Sequence, residues 1–382
     1  MAARGLTCAM RLHDRYLFRE LLTPLAYCLG GFLIFWIAYF FFTEIATMQE
    51  RHFNLLDAVE YALAMTPGFF VMVLPIALLL ALLYALTHHA RHHELTALRA
   101  AGVGLWRLCA PYFVVGIVCG GFYFLMNEVA VPRCADWSEQ IKTRHVQVET
   151  KQKIKTHYTN INFRTAHATR IWYIGEYDTG STALVNPNVT WTLPDGSWRA
   201  LRASSAGWSN GIWLFYNATL CTQSGADGHL VPLFTTNCFA ATEFAETPKE
   251  IWSNIKMSDS QTLRGSREAD IPIRDLREYL QLNRNLPAGD LGALLTKYYG
   301  RLAAPWTCLV VVLIAIPFGA QSGRRNLFFG VAGSIAICFT YFILQSVGMT
   351  IGMAGHLNPF IAAWLPNLFF AAVGSIMILR TR

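Results

Sequence analysis

The sequence predicts a membrane α-helical protein with an all-β domain inserted between its third and fourth spans. Three observations carry this. Of the 382 residues, 54% are hydrophobic and only 14% charged, whereas a soluble domain carries about 25% charged residues. The apolar residues gather into runs long enough to cross a bilayer, which takes roughly 20 residues of helix. Between the third and fourth runs the pattern changes to short segments rich in Trp, Tyr, Val and Thr, separated by turn signals.

The first run, Leu21–Thr43, holds no charged residue. The preceding Met1–Glu20 is polar and Arg-containing and lacks the short apolar core and cleavage site of a secretory signal, so the run is expected to stay as an anchor. Tyr61–Thr87 is also free of charge, and its Pro67, Gly68 and Pro75 predict a kink. Leu108–Asn127 is the third span and Leu302–Gly323 the fourth. Asn326–Leu379 has no charge beyond a neutral His356 and is too long for one crossing. Gly348, Gly352, Gly355, Asn358 and Pro359 predict a turn in its middle, giving spans near Asn326–Val347 and Leu357–Leu379. Three units follow: a membrane half over 1–127, a β domain with connectors over 128–301, and a second membrane half over 302–382.

Lys and Arg in short flanks set orientation. Arg4, Arg11, Arg15 and Arg19 precede span one; Arg91, Arg99 and Arg107 lie between spans two and three; Arg324 and Arg325 follow span four; Arg380 and Arg382 close the chain. Glu44–Glu60 carries only Arg51, and Gly348–Asn358 carries no cation. With six spans all four basic flanks share one side, which places both termini in the cytoplasm and Glu128–Arg301 outside. Five or seven spans would break the agreement.

Within that outer region Ile171–Ile174, Asn188–Leu193, Ser197–Ala203, Gly211–Leu220 and Leu230–Thr235 read as strands, with turns at Pro194-Asp195-Gly196 and Ser209-Asn210-Gly211. Their spacing suggests a sandwich or jelly roll. Asp270–Asn283 reads as a helix leading back to the membrane. Nine cysteines include no C-x-x-C pair, which argues against a zinc ribbon or a thioredoxin-like site. Cys28, Cys119, Cys308 and Cys338 read as small packing residues. Outside the cytoplasm a disulfide between Cys221 and Cys238 is allowed.

The net charge of +7 is positioned at membrane flanks rather than on a soluble face, so nucleic-acid binding is not expected. There is no G-x-x-x-x-G-K-[ST] phosphate loop, hence no ATP site in this chain, and no G-x-S-x-G nucleophile motif. The spans hold almost no ionisable groups of the kind ion-coupled carriers use. No cofactor is expected in the chain; energy for transport must come from elsewhere.

Three groups of residues invite a functional reading. His88, His89, His92 and His93 precede Glu94, but the H-E-x-x-H pattern of a zinc peptidase fails at Ala97, and a polar helix leaving the membrane explains them as well. In the segment 88–108, Leu95, Leu98, Gly102 and Leu105 recur at helical spacing while Arg91, Glu94 and Arg99 supply charge near its start. Such a helix lies on the membrane or docks into a partner's groove. Outside, Arg133, Lys142, Arg144, Lys151, Lys153 and Lys155 follow span three, and Lys297 and Arg301 precede span four. They read as solvated stalk charges or as a site for phosphate-bearing lipid headgroups.

Taken in order, several stretches resemble the F and G permease subunits of the bacterial lipopolysaccharide-export ABC transporter. Asp14-Arg15-Tyr16 resembles the family's opening, and HELTALRAAG over His93–Gly102 its cytoplasmic coupling helix. Asn127-Glu128 with Pro132 resembles the exit of span three. ASSAGWSNGIWLFYN over Ala203–Asn217 resembles part of its β domain, Arg301–Pro305 with Ile316-Pro317 its span four, and NPFIAAWLPN over Asn358–Asn367 the start of span six. The resemblance implies a periplasmic β-jellyroll, a second permease subunit, a cytoplasmic ABC ATPase dimer that binds ATP and Mg, and an inner-membrane location. It implies lipopolysaccharide as the substrate, passed to periplasmic jellyroll bridge proteins. It assigns ATPase coupling to Arg91, Glu94, Leu95, Leu98, Arg99 and Gly102, and leaves Arg133, Lys297 and Arg301 as headgroup candidates. Phe40–Glu44 is aromatic and acidic where some members carry cations. A membrane-anchored scaffold and an intramembrane metalloenzyme are the readings it competes with.

Overall fold

The computed structural model describes residues 12–50, 53–94, 97, 100, 105–144, 157–165, 170–178, 182–193, 196–224, 229–259, 271–283, 286, 288–320 and 327–380. The chain divides into two compact units, Met1–Val146 with Leu295–Arg382, and Gln147–Leu294. The second unit is shorter at both ends than the 128–301 expected from sequence.

Among the described residues six helices are long and apolar enough to cross a membrane: Arg15–Ala46, Leu55–Arg91, Arg107–Ser138, Gly289–Pro317, Ile335–Met353 and Pro359–Leu379, all in the first unit but for Gly289–Leu294. They belong to α1 (Leu12–Glu50), α2 (Leu55–Arg91), α3 (Leu105–Leu125) with α4 (Val131–Arg144), α7 (Ala288–Ala303) with α8 (Thr307–Ala320), α9 (Leu327–Met353) and α10 (Pro359–Arg380). The second is the hub: Ala77, Leu78, Ala81 and Leu82 are fully buried against Leu17 and Leu21 of α1, Leu108 and Tyr112 of α3 and Cys308 and Val312 of α8. Pro67 and Pro75 lie inside α2, which continues through both from Leu55 to Arg91.

Between like-for-like apolar surfaces in lipid, close helix packing depends on small residues. A Cβ on Gly120 would stand 2.8 Å from the Pro305 carbonyl oxygen, and one on Gly116 2.8 Å from Val312. A Cβ on Gly348 would stand 2.8 Å from the Ala362 carbonyl oxygen, and one on Gly352 2.6 Å from the Ala362 Cβ. Gly348 and Gly352 are therefore not turn residues, as the sequence suggested. The helix runs on through both, and the reversal comes at Gly355, whose φ is +79°, followed by Asn358 capping α10 through its Oδ1, which accepts the Phe360 N–H at 3.0 Å.

Among the described residues the second unit has eight strands, all antiparallel: β1 (His157–Arg164), β2 (Ile171–Asp178), β3 (Leu184–Val185), β4 (Asn188–Thr192), β5 (Trp198–Arg202), β6 (Ser205–Ser209), β7 (Ile212–Ser224) and β8 (His229–Ala241). The pairing β2–β3–β6–β7–β5–β4 returns to β2, so the sheet closes into a barrel-like ring with β1 and β8 on its outer edges. Two corners make closure feasible. Along β7 the buried face passes through Trp213 and Phe215 and resumes at Ala218, with Asn217 left-handed at φ +51° between them. There β7 exchanges β6, paired as far as Tyr216, for β5, paired from Thr219. Asn and Asp tolerate that backbone region better than branched residues. In β2 the exchange from β4 to β3 falls at Gly175, where a Cβ would meet Asn186 and Val185 at 3.1 Å. The ring interior is aromatic: Trp172, Trp213, Phe215 and Phe244.

Helix α5 (Pro248–Asp259) was not anticipated, and α6 (Ile273–Leu282) lies within the expected 270–283. Strands β1, β3 and β6 were not anticipated either. Cys221 and Cys238 are both free thiols. They share a hairpin but not a register: Cys221 faces Pro232 and Cys238 faces Tyr216, several residues apart at about 3.3 Å each. That separation exceeds what a disulfide spans.

Candidate functional site

At the end of the membrane unit where α2 finishes, the chain folds back sharply. The His92 N–H still reaches the His88 carbonyl at 3.2 Å, but His93 is left-handed at φ +57°. The Ala97 N–H then bonds the His93 carbonyl at 2.9 Å, opening a new helical turn. This reversal returns Glu94 to the helix it has just left. Its Oε2 lies 2.7 Å from His89 Nδ1. A carboxylate only accepts, so Nδ1 carries the proton and donates. The Tyr16 hydroxyl of α1 donates to Glu94 Oε1 at 3.4 Å, and the Tyr16 and His89 rings meet edge to face at 5.8 Å. His89 is 1% exposed, while the Glu94 side chain is 35% exposed. Arg91 is exposed. Leu95, Leu98, Arg99 and Gly102 lie outside the described residues.

The histidines do not assemble a metal site: His88 stacks edge-on against His92 with ring centres 4.6 Å apart, and among the described residues no three His, Cys, Asp or Glu side chains converge as ligands.

At the opposite end of α3, the helix widens into a π-helical turn over Met126–Ala130. There the Val131 N–H bonds the Met126 carbonyl. The carbonyl of Asn127 would next take the N–H of Pro132, which proline lacks. Arg301 replaces it: its Nη2 donates to the Asn127 carbonyl at 2.7 Å and to Oδ1 at 3.4 Å, and its Nη1 lies 4.0 Å from Glu128. Arg301 is 2% exposed and Lys297 3%. Neither is the solvated stalk charge that their flank position suggested. Arg133, the third headgroup candidate, is exposed. Arg144 is engaged with Asp57 and Glu60 at 3.3 and 3.0 Å.

A third polar seam repeats the same logic. The 3-10 turn Ala304–Trp306 makes the Thr307 N–H bond the Ala304 and Pro305 carbonyls, which releases the Ala303 carbonyl to Asn367 Nδ2 at 2.8 Å. Tyr341 joins it, its hydroxyl 2.6 Å from Asn367 Oδ1 and 2.7 Å from Thr307. Buried charge and broken helices inside membrane spans mark function or the support of function. Sequence reasoning found Asn127, Glu128 and Pro132 as one motif and Arg301 as another, yet gave no sign that they meet.

Six apolar helices, three before and three after a closed antiparallel sheet, define a multi-pass membrane protein with an inserted β unit. Residues 15–380 match the model of the lipopolysaccharide export system permease LptF/LptG family, and the chain belongs to that family. No individual curated protein matches. The chain is thus a permease component of lipopolysaccharide export.

Proposed function

We propose that this chain is one of two permease halves that lift lipopolysaccharide from the outer leaflet of the inner membrane and pass it to periplasmic jellyroll bridge proteins. A cytoplasmic ABC ATPase dimer supplies the work. Both termini face the cytoplasm, and the closed sheet of Gln147–Leu294 is the periplasmic jellyroll. The observation that carries this reading is the family match over residues 15–380 in a chain with no phosphate loop, so that force must enter through a cytoplasmic contact. The fold-back at Glu94 lies between the two basic flanks of α2 and α3, on the side that the charge distribution assigns to the cytoplasm. This supports 88–108 as the coupling segment. Of the headgroup candidates, Arg133 is exposed, whereas Lys297 and Arg301 are buried.

Leu98→Asp tests the coupling assignment by putting a charge into the apolar stripe. The variant should lose the ATPase on co-purification while its helices and sheet remain intact. Retention of the ATPase together with normal lipid export would overturn the assignment.

A further inference from the structure

Of the aromatic residues that fill the closed sheet, Trp172, Trp213 and Phe215 come from strands, whereas Phe244 comes from a short connection, 242–247, between β8 and α5. Burial alternates along it: Phe244 and Glu246 are buried, while Glu243, Ala245 and Thr247 are exposed. That is the period-two pattern of an extended chain laid on a surface. The Phe244 ring meets Trp172, Trp191 and Phe215 with centres 5.6, 5.6 and 5.7 Å away. Glu246 fastens the connection. Its carboxylate accepts Arg170 Nη1 at 3.0 and 2.9 Å and the Thr165 hydroxyl at 3.2 Å, and its backbone carbonyl accepts the Trp213 indole N–H at 2.7 Å. Arg170 Nη2 donates to the Glu243 carbonyl at 2.8 Å, and its guanidinium lies 4.5 Å over the Phe244 ring. Thr165 directly follows β1 and Arg170 directly precedes β2. The connection therefore joins the two outer-edge strands, β8 by continuity and β1 through Glu246.

An ordinary apolar core differs in two respects. A buried ion pair adds little net stability over apolar packing, and its best-attested use is to favour one arrangement over others. The Trp172 indole N–H and Arg170 Nε, both beside Phe244, have no acceptor among the described residues, whereas buried donors are nearly always paired. We propose that 242–247 is a strap that plugs the ring: Phe244 occupies the place of a lipid acyl chain, and the Glu246–Arg170 latch holds the sheet shut until the strap is drawn out. This rests on the reading of the sheet as the periplasmic jellyroll that receives the lipid. Withdrawal of Phe244 leaves an aromatic slot between Trp172, Trp191 and Phe215, with two N–H donors at its edge for the ester or amide carbonyl at the head of an acyl chain. The strap ends in a capping box, in which the Thr247 N–H bonds Glu250 Oε2 at 2.8 Å and the Glu250 N–H bonds the Thr247 hydroxyl at 3.3 Å. A movement of α5 therefore acts directly on the strap.

The test uses the full chain in its assembled complex, in proteoliposomes containing lipopolysaccharide, with Trp191 replaced by the photo-cross-linking amino acid p-benzoylphenylalanine. In this parent, cross-linking to lipopolysaccharide should require ATP. Phe244→Ala removes the plug and should raise the cross-link without ATP to about the ATP-driven level. Glu246→Gln weakens the latch with Phe244 in place and should raise it by about tenfold, the scale of one hydrogen bond to a charged group. A merely structural latch predicts the opposite sign for Glu246→Gln, a weaker cross-link with and without ATP, and that result overturns the proposal. Thr165→Cys with Glu246→Cys, in a chain otherwise free of Cys, puts two thiols where the side chains meet at 3.2 Å. Oxidation should abolish the cross-link even with ATP, and reduction should restore it without need of ATP. This pair carries the test if Phe244→Ala does not fold. Equal cross-linking with and without ATP in the parent, or an oxidised strap that cross-links like the parent, overturns the plug and leaves the ring on the lipid's path. If no chain cross-links in any state while lipid export proceeds, the ring is not on that path, and the underlying reading fails together with the plug.

Discussion

Replacing Arg301 by Met should destabilise the membrane unit, and the size of the loss follows from its surroundings. The methionine keeps most of the buried apolar volume, so what disappears is electrostatic. The 2.7 Å bond to the Asn127 carbonyl is a charge-assisted hydrogen bond, worth about 1.5–3 kcal/mol. Its loss also orphans a carbonyl whose helical donor Pro132 cannot supply. Glu128 at 4.0 Å is 20% exposed and keeps access to water, so losing this pair costs less than the roughly 3–5 kcal/mol of a fully buried one. Because these contributions overlap, the expected loss is about 2–4 kcal/mol. Arg301→Lys keeps the charge but not the planar fork and should lose roughly half as much. Reversible unfolding in mixed micelles reads the difference, and adding Glu128→Gln to Arg301→Met should recover part of it. Unchanged stability with loss of co-purifying lipopolysaccharide would refute the argument and make Arg301 a headgroup ligand. Unchanged stability and unchanged lipid would leave the seam without energetic weight.

Other outcomes follow from the same reading. Tyr341→Phe leaves Asn367 Oδ1 and Thr307 without their shared partner and should cost about 1–2 kcal/mol in the same unfolding measurement. Glu246→Gln removes the charge facing Arg170, whose Nη1 meets both carboxylate oxygens at 3.0 and 2.9 Å while its Nη2 keeps the Glu243 carbonyl at 2.8 Å, and should cost the β unit about 1.5–3 kcal/mol, visible as faster proteolysis of the full chain within Gln147–Leu294. The Tyr279 hydroxyl is pushed up to about 12 by burial and, secondarily, by Asp290. The folded state therefore holds a proton that the unfolded chain releases near 10. Stability should be unaffected below that value and should fall as pH rises from about 10 to 12, less so in Tyr279→Phe, as followed by tryptophan fluorescence. With the remaining cysteines replaced, the exposed Cys238 thiol should react with an impermeant maleimide from the periplasm; reaction only from the cytoplasm would refute the six-span orientation.

What the sequence by itself determined is what depends on local composition. Each apolar run is a span because lipid leaves a helix as the way to satisfy its own backbone groups, and the six helices lie where the hydropathy put them. The β character of the insert was legible for the same reason, since Trp, Tyr, Val and Thr at short spacing suit a pleated surface. Boundaries were less so: the third span runs on past Asn127 through the π-helical turn into α4 because charged residues beyond the span continue the helix, and Gly348 and Gly352 were mistaken for a turn because a glycine looks the same whether it bends a chain or lets two helices touch. Tertiary structure alone decided the rest. Sheet closure depends on β7 meeting β6 before Asn217 and β5 after it, and on β4 returning to β2. Cys221 and Cys238 share a hairpin, but register holds them apart. Arg301 reaches a carbonyl that Pro132 left open 174 residues earlier, and Glu94 turns inward because a left-handed His93 sends it there. The partners of Arg301 and the Tyr16 contact of Glu94 are chosen by the packing of segments far apart in the chain, and no local pattern of residues encodes that.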